Sequence, residues 1–298
     1  MKGNKEIFNI DELVLSIPCD RELYNQFASM PVETVYDNYN DFTLKCMQKE
    51  GDIDDPDVFY LSVNFNDGKL FGVFKCEKEK GKATLAINKE MFYEVLTVTN
   101  NQKVNMLPLI EYICDSIGFD LTKATIDQLR IVRDSKFNTL KVLSMINSNP
   151  NYDLYLNDLK QEMPVHLIDK YFIGEEGLTG KRFSRLHKQN VFNSNNILGN
   201  LEVMAYEKSQ EIHNVSHEYF ILQFDGFEED EKFYRTEINL LKPTTQLKNF
   251  YQEKDIEDHG YYTLCEFFES EKLKDLFNWL SRKLIYFKNK ATGEIVII

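Results

Sequence analysis

The chain has 298 residues, 43% hydrophobic and 13% aromatic, so it is long enough for one large or two ordinary domains and too apolar to be disordered. No apolar run approaches the ~20 residues of a membrane helix, and residues 1–9 lack the apolar centre of a secretory signal, which predicts a cytoplasmic protein with no membrane partner. The net charge of −13 argues against nucleic-acid binding over the whole surface and leaves it to local basic stretches.

In chain order, a strand is predicted over 12–17, followed by a helix with Asp20 as N-cap. Residues 37–57 read as a long polar loop. Strands over 59–65, 70–76 and 83–87 come next, rich in β-branched and aromatic residues. Asn66-Asp67-Gly68 is a hairpin signal, and Glu79-Lys80-Gly81-Lys82 makes the following turn. Asn88 then caps a helix.

The second half opens with a helix over 107–117, ended by Gly118, then a strand over 128–133 and a helix over 137–147. Residues 165–172 read as a strand. The basic segment Lys181-Arg182-Phe183-Ser184-Arg185-Leu186-His187-Lys188 sits in the next connection. A strand covers 199–207, and 218–224 pairs with 233–241 in a hairpin across an acidic turn. Residues 264–268 carry no decisive pattern. An amphipathic helix covers 273–287, with Leu276, Phe277, Leu280 and Leu284 at helical spacing. Its basic end, Arg282 to Lys290, precedes a last short strand over 292–298.

These elements predict an α+β fold of antiparallel sheets with packed helices. It divides into an N-terminal α+β half, 1–104, and a C-terminal half, 105–298, that carries the candidate site. No Pro/Gly/Ser-rich linker separates them. Residues 10–15 resemble 126–131, and each run leads through an Asp into a helix. A duplication would give two pseudo-equivalent sheet-plus-helix halves.

The five cysteines are far apart and none has metal-ligand spacing, so they read as small core residues. His213 and His217 are four apart, but Asn-Val-Ser between them reads as loop. Residues 174–180 lack the Gly-Lys-Ser/Thr ending of a phosphate-binding loop.

The chemistry concentrates on three strands. Residues two apart on a strand share a face. Tyr206 therefore goes with Lys208, Arg235 with Glu237, and Arg130 with Asp134. Two readings fit such pairs. One is a solvated sheet face laced with cross-strand ion pairs. The other is a site for phosphodiester transfer. In that site a tyrosine, poorly nucleophilic below its pKa of ~10, is activated by cations or a metal. Carboxylates would hold Mg²⁺ or Mn²⁺ on the scissile phosphate.

Tyr206-Glu207-Lys208-Ser209-Gln210-Glu211, followed by Arg235-Thr236-Glu237 on the next strand, resembles the Tyr-x-Lys-x-x-Glu and Arg-x-Glu segments of the replication initiation factor family. These are rolling-circle initiators of small plasmids, mobile elements and filamentous phages. The helix over 107–117, the strand leading to Asp134 and the late amphipathic helix are similar in order. The resemblance implies an endonuclease and strand transferase with Tyr206 as nucleophile, joined to a 5′-phosphate. It implies Glu237 and Asp134 as metal ligands and Glu211 as a further ligand or general base. Arg235 and Lys208 would contact the phosphate, while Lys181, Arg182, Arg185 and Lys188 would grip the DNA backbone. The implied partners are a DNA origin, a helicase or other replication proteins, and a second copy in a homodimer. The chain departs from the family pattern at Arg130, where a second acid is expected, and in its acidic balance. A non-catalytic regulator of a mobile element on the same fold is the alternative.

Overall fold

The computed structural model describes residues 6–31, 33–36, 41–47, 57–92, 106–136, 149–156, 159–161, 172–176, 182–187, 201–209, 232–240, 243–257, 260 and 270–297. It is an α+β protein built on antiparallel sheets with packed helices. The chain forms two compact units. One holds Met1–Ile10, Arg130–Ile256 and Phe267–Ile298, and the other Asp11–Leu129 and Glu257–Glu266. Two long strands, β1 (Glu6–Pro18) and β7 (Thr125–Ser135), contribute residues to both.

In the second unit the strands run β1-β6-β5-β4-β3-β2, each antiparallel to its neighbours. These are β2 (Val35–Tyr36), β3 (Phe42–Met47), β4 (Val58–Phe65), β5 (Leu70–Glu77) and β6 (Lys82–Ile87). The β4–β5 turn follows its local chemistry: Gly68 adopts φ +87°, a left-handed value that favours glycine, and the Asp67 carboxylate accepts from the Lys69 N–H at 3.0 Å. Helix α1 (Arg21–Ala28) begins where Asp20 accepts the Leu23 N–H at 2.8 Å. Helix α2 (Met106–Ile117) ends at Gly118, φ +99°, whose N–H bonds the Cys114 carbonyl.

The β3 strand lies within the stretch expected to be loop. Phe42, Leu44 and Cys46 are buried on one face, but flanking Asp and Asn residues mask this alternation in the sequence. The core of this unit contains Leu13, Leu15, Ile17, Phe74 and Ile113, all fully buried, with Phe74 stacked on Phe119 at 4.8 Å. Gly72 fills a close approach: an added Cβ would meet the Ala86 carbonyl oxygen at 2.6 Å. Backbone cannot yield cheaply, so Gly72→Ala is expected to cost about 1–3 kcal/mol, read as a lower urea midpoint at unchanged slope.

Cys19, Cys46, Cys76 and Cys114 are buried free thiols, as expected of core cysteines. Burial pushes the Cys114 thiol well above its ordinary range, with Asp115 adding to the effect. Iodoacetamide followed by peptide mapping should label Cys114 only after denaturation; rapid native labelling would contradict its burial.

In the other unit the strand order is β10-β11-β12-β13-β7-β1. The strands are β10 (Phe172–Glu176), β11 (Arg182–His187), β12 (Leu201–Glu207) and β13 (Tyr234–Leu240). The basic segment expected in a connection is therefore largely strand β11. A separate four-stranded sheet has the order β15-β14-β8-β9, from β8 (Tyr152–Leu156), β9 (Leu159–Gln161), β14 (Ile285–Asn289) and β15 (Ile295–Ile297).

Helix α3 (Pro243–Lys254) has no counterpart in the sequence expectations, although Pro243 at its first position and buried Leu247, Phe250 and Tyr251 at helical spacing mark it. Helix α4 (Ser270–Leu284) is shorter than the expected 273–287 at its C-terminal end, because Ile285–Phe287 enter a strand. The expected elements at 137–147, 218–224 and 264–268 lie outside the described residues, as does the expected strand 165–172 apart from Phe172, which begins β10. No described helix is long and apolar enough to cross a membrane.

Candidate functional site

The β7, β12 and β13 strands bring the candidate residues together. The register sets Tyr206 opposite Arg235, Met204 opposite Glu237 and Phe183 opposite Tyr206. The ladder extends one step past β12, where the Lys208 N–H donates to the Phe233 carbonyl at 2.8 Å. The Phe233 N–H in turn donates to Ser209 Oγ at 2.9 Å. Both ends of the Lys208–Phe233 link are thus tied before the chain leaves the sheet.

The centre of the site is a double hydrogen bond. Arg235 Nε donates to Asp134 Oδ1 and Nη2 to Oδ2, each at 2.6 Å. The side chains are 2% and 1% exposed, so the pair is cut off from water. This geometry matches the planar fork of guanidinium to the two oxygens of a carboxylate, the strongest form of protein ion pair. It joins residues 101 positions apart in sequence. Glu237 and Lys208 are buried as well, at 5% and 4% exposure. A solvated sheet face does not describe these side chains.

Alternation makes the neighbouring face of β7 charged too. Arg133 is buried and its guanidinium lies 5.5 Å from the Phe277 ring centre, with Glu6 at 3.8 Å. Burial pulls Arg133 below its ordinary pKa and Glu6 opposes the shift. Phe277 also packs edge-on against Phe8, centroids 5.5 Å apart. Lys136 lies 5.7 Å from the ring centre of Phe233.

Among the expected site residues, Asp134, Arg235, Glu237 and Lys208 are buried on adjacent strands or just past them, and Tyr206 joins them by backbone register. Arg182 and Arg185 lie on β11, in register with Glu176 and with Ile173 and Met204. Lys181, Lys188 and Glu211 lie outside the described residues. Arg130, where a second acid was expected, is half-buried on β7. Sequence reasoning missed Arg133 and Ser209. The signal for both is a polar run, Arg133-Asp134-Ser135 and Lys208-Ser209, at the end of a strand or just past it.

The donor set bears on a divalent metal. Asp134 commits both oxygens to Arg235, and each oxygen has a second lone pair in principle. Among the described residues, no group of three or more His, Cys, Asp or Glu side chains is close enough to hold an ion. No protein-family model and no curated protein matches the chain.

Proposed function

We propose that this chain cuts and rejoins one strand of DNA through Tyr206, as a rolling-circle replication initiator does. The observation that carries the reading is the set of buried charges, Asp134, Arg235, Glu237 and Lys208, gathered beside the strand that bears Tyr206. Burying a charge costs several kcal/mol unless it is well paired. Charged groups held away from water are also the kind that act on a reacting phosphate, because fixed charges are stronger there than in water.

In this reading the Tyr206 hydroxyl gives up its proton to solvent as its oxygen attacks the phosphorus, the P–O3′ bond breaks, the leaving 3′ oxygen takes a proton from water, and the 5′-phosphate stays on the tyrosine. Lys208 and Arg235 offset charge on the phosphoryl oxygens. Mg²⁺ or Mn²⁺ would draw on Glu237 and Glu211, with Asp134 acting chiefly to hold Arg235. Lys181, Arg182, Arg185 and Lys188 contact the backbone of the origin. A helicase, other replication proteins and a second copy of the chain are the further partners of such an initiator.

The paired hydrogen bonds from Arg235 to Asp134 favour a second reading. A guanidinium already matched to a carboxylate serves a strand junction well and a phosphate less well. The chain would then be a non-catalytic DNA- or protein-binding regulator of a mobile element. The test is a nicking assay on supercoiled DNA carrying the cognate origin, with Mg²⁺, Mn²⁺ or EDTA. Divalent-dependent nicking with a covalent protein–DNA adduct supports the first reading. Binding without nicking under either ion supports the second.

A further inference from the structure

The four-stranded sheet has two unlike faces. Cross-strand register puts Val296, Phe287, Leu154 and Gln161 in one row. Phe287 in that row is 3% exposed, so this face is covered, and α4 packs against β14 and β15. The other face carries the row Ile297, Tyr286, Tyr155 and Lys160 and the row Ile295, Lys288 and Asp153. Here Lys288 and Ile295 are exposed, and Tyr155 and Tyr286 are half-buried. The two tyrosine rings are parallel within 5° and 4.8 Å apart.

Charge on and around this face runs against the balance of the chain. Exposed Lys288 and Lys290 lie on or next to it, and Lys160 takes the register position beside Tyr155. The acid in the second row, Asp153, is 3.6 Å from Lys290 Nζ, which also donates to the Pro150 carbonyl. The local negative charge is therefore already met by a lysine. Within the basic run from Arg282 to Lys290, alternation along β14 sends Phe287 inward and Tyr286 and Lys288 to the open face, while Arg282 and Lys283 lie on α4 and Lys283 meets Glu253 at 3.1 Å.

We infer that this sheet face is a docking platform for single-stranded DNA. Bases extend the Tyr155–Tyr286 stack, and Lys288, whose charge Asp153 does not take up, meets the phosphate. A stacked aromatic pair bordered by lysines suits an unpaired strand, whose bases offer their flat faces, and not a duplex, whose bases are already stacked. The choice of DNA rests on the proposed strand-cleaving function; the stacking and the charge do not.

The experiment is fluorescence anisotropy with a labelled mixed-sequence DNA strand of about 16 nucleotides, its duplex, and RNA of the same sequence. The full chain should bind the single strand of DNA best. Tyr286→Leu should weaken it about 5- to 100-fold, and Tyr286→Phe should not. Lys288→Gln should weaken binding and lower the salt slope by about 0.7, for one phosphate no longer neutralised. Lys288 is exposed, so that variant stays folded and informative even if Tyr286→Leu does not fold.

Absence of single-strand binding, preference for duplex or RNA, or binding unchanged in the lysine variant would overturn the platform. The two proposals fail separately: a chain that binds the strand through Lys288 yet nicks no origin overturns the strand-cleaving reading alone, and one that nicks the origin but binds the strand equally well as Lys288→Gln overturns the platform alone.

Discussion

Asp134→Asn is expected to destabilise the protein by about 3–5 kcal/mol, seen as a lower urea midpoint at unchanged slope. The substitution keeps the shape of the side chain and removes its charge. Arg235, 2% exposed, is then left with a neutral partner in place of the carboxylate that met it with two 2.6 Å bonds. An exposed pair broken the same way would cost at most about 1 kcal/mol, and that cost would fade in salt. The buried pair should keep its effect in 1 M NaCl, since screening ions do not reach it. Arg235→Met alone should be as damaging, for it strands the carboxylate. Combining Arg235→Met with Asp134→Leu should recover most of the loss, because neither charge remains to be solvated. A single-variant loss below about 1 kcal/mol, or a double variant as unstable as the sum of the singles, would show that the pair does not govern this junction.

That result would also weigh on function. A pair whose removal is tolerated only when both charges go is a lock between β7 and β13. If the double variant is folded and still nicks DNA, Arg235 acts through position and not by touching phosphate. If it is folded and inactive, the guanidinium has a role that stability does not explain. The same protein preparation answers both questions.

Local features were legible in the sequence and distant ones were not. The turn at Gly68, the cap at Asp20 and the helix end at Gly118 depend on a few adjacent residues, and each forms as its chemistry predicts. The strand parity that pairs Arg235 with Glu237 was legible for the same reason. Their burial was not, because it depends on what covers the sheet. Arg235 looks like a surface residue until Asp134, 101 positions away, is placed against it. The Ile285–Phe287 turn from helix to strand was hidden differently: Phe287 continues the helical spacing of Leu276, Leu280 and Leu284, while the same residues also alternate as a strand. The docking of β14 against β8 and β15 decides between the two periods. Segment 182–187 reads as basic connection by composition and forms a strand because β10 and β12 supply both of its neighbours.

Tyr206→Phe is expected to abolish covalent capture of DNA, with strand cleavage falling by as much as about a millionfold, the scale seen when an enzyme loses its nucleophile. The change deletes one hydroxyl and keeps the ring, so the β12–β13 register of Tyr206 with Arg235 has no reason to move. Thermal denaturation should therefore stay close to that of the parent, unlike Asp134→Asn. This contrast is what makes the variant decisive. A loss of nicking that tracks stability would point to the fold, whereas a loss at unchanged stability points to the hydroxyl. Capture is read as a protein band shifted by a labelled origin strand after denaturation, since only a covalent bond survives. Persistent capture in Tyr206→Phe would move the nucleophile to another residue while leaving the DNA-cleaving reading in place. Binding of the origin by the parent chain with no capture under Mg²⁺ or Mn²⁺ would remove that reading and favour the regulator, in which the buried pair at Asp134 and Arg235 holds a surface together without chemistry of its own.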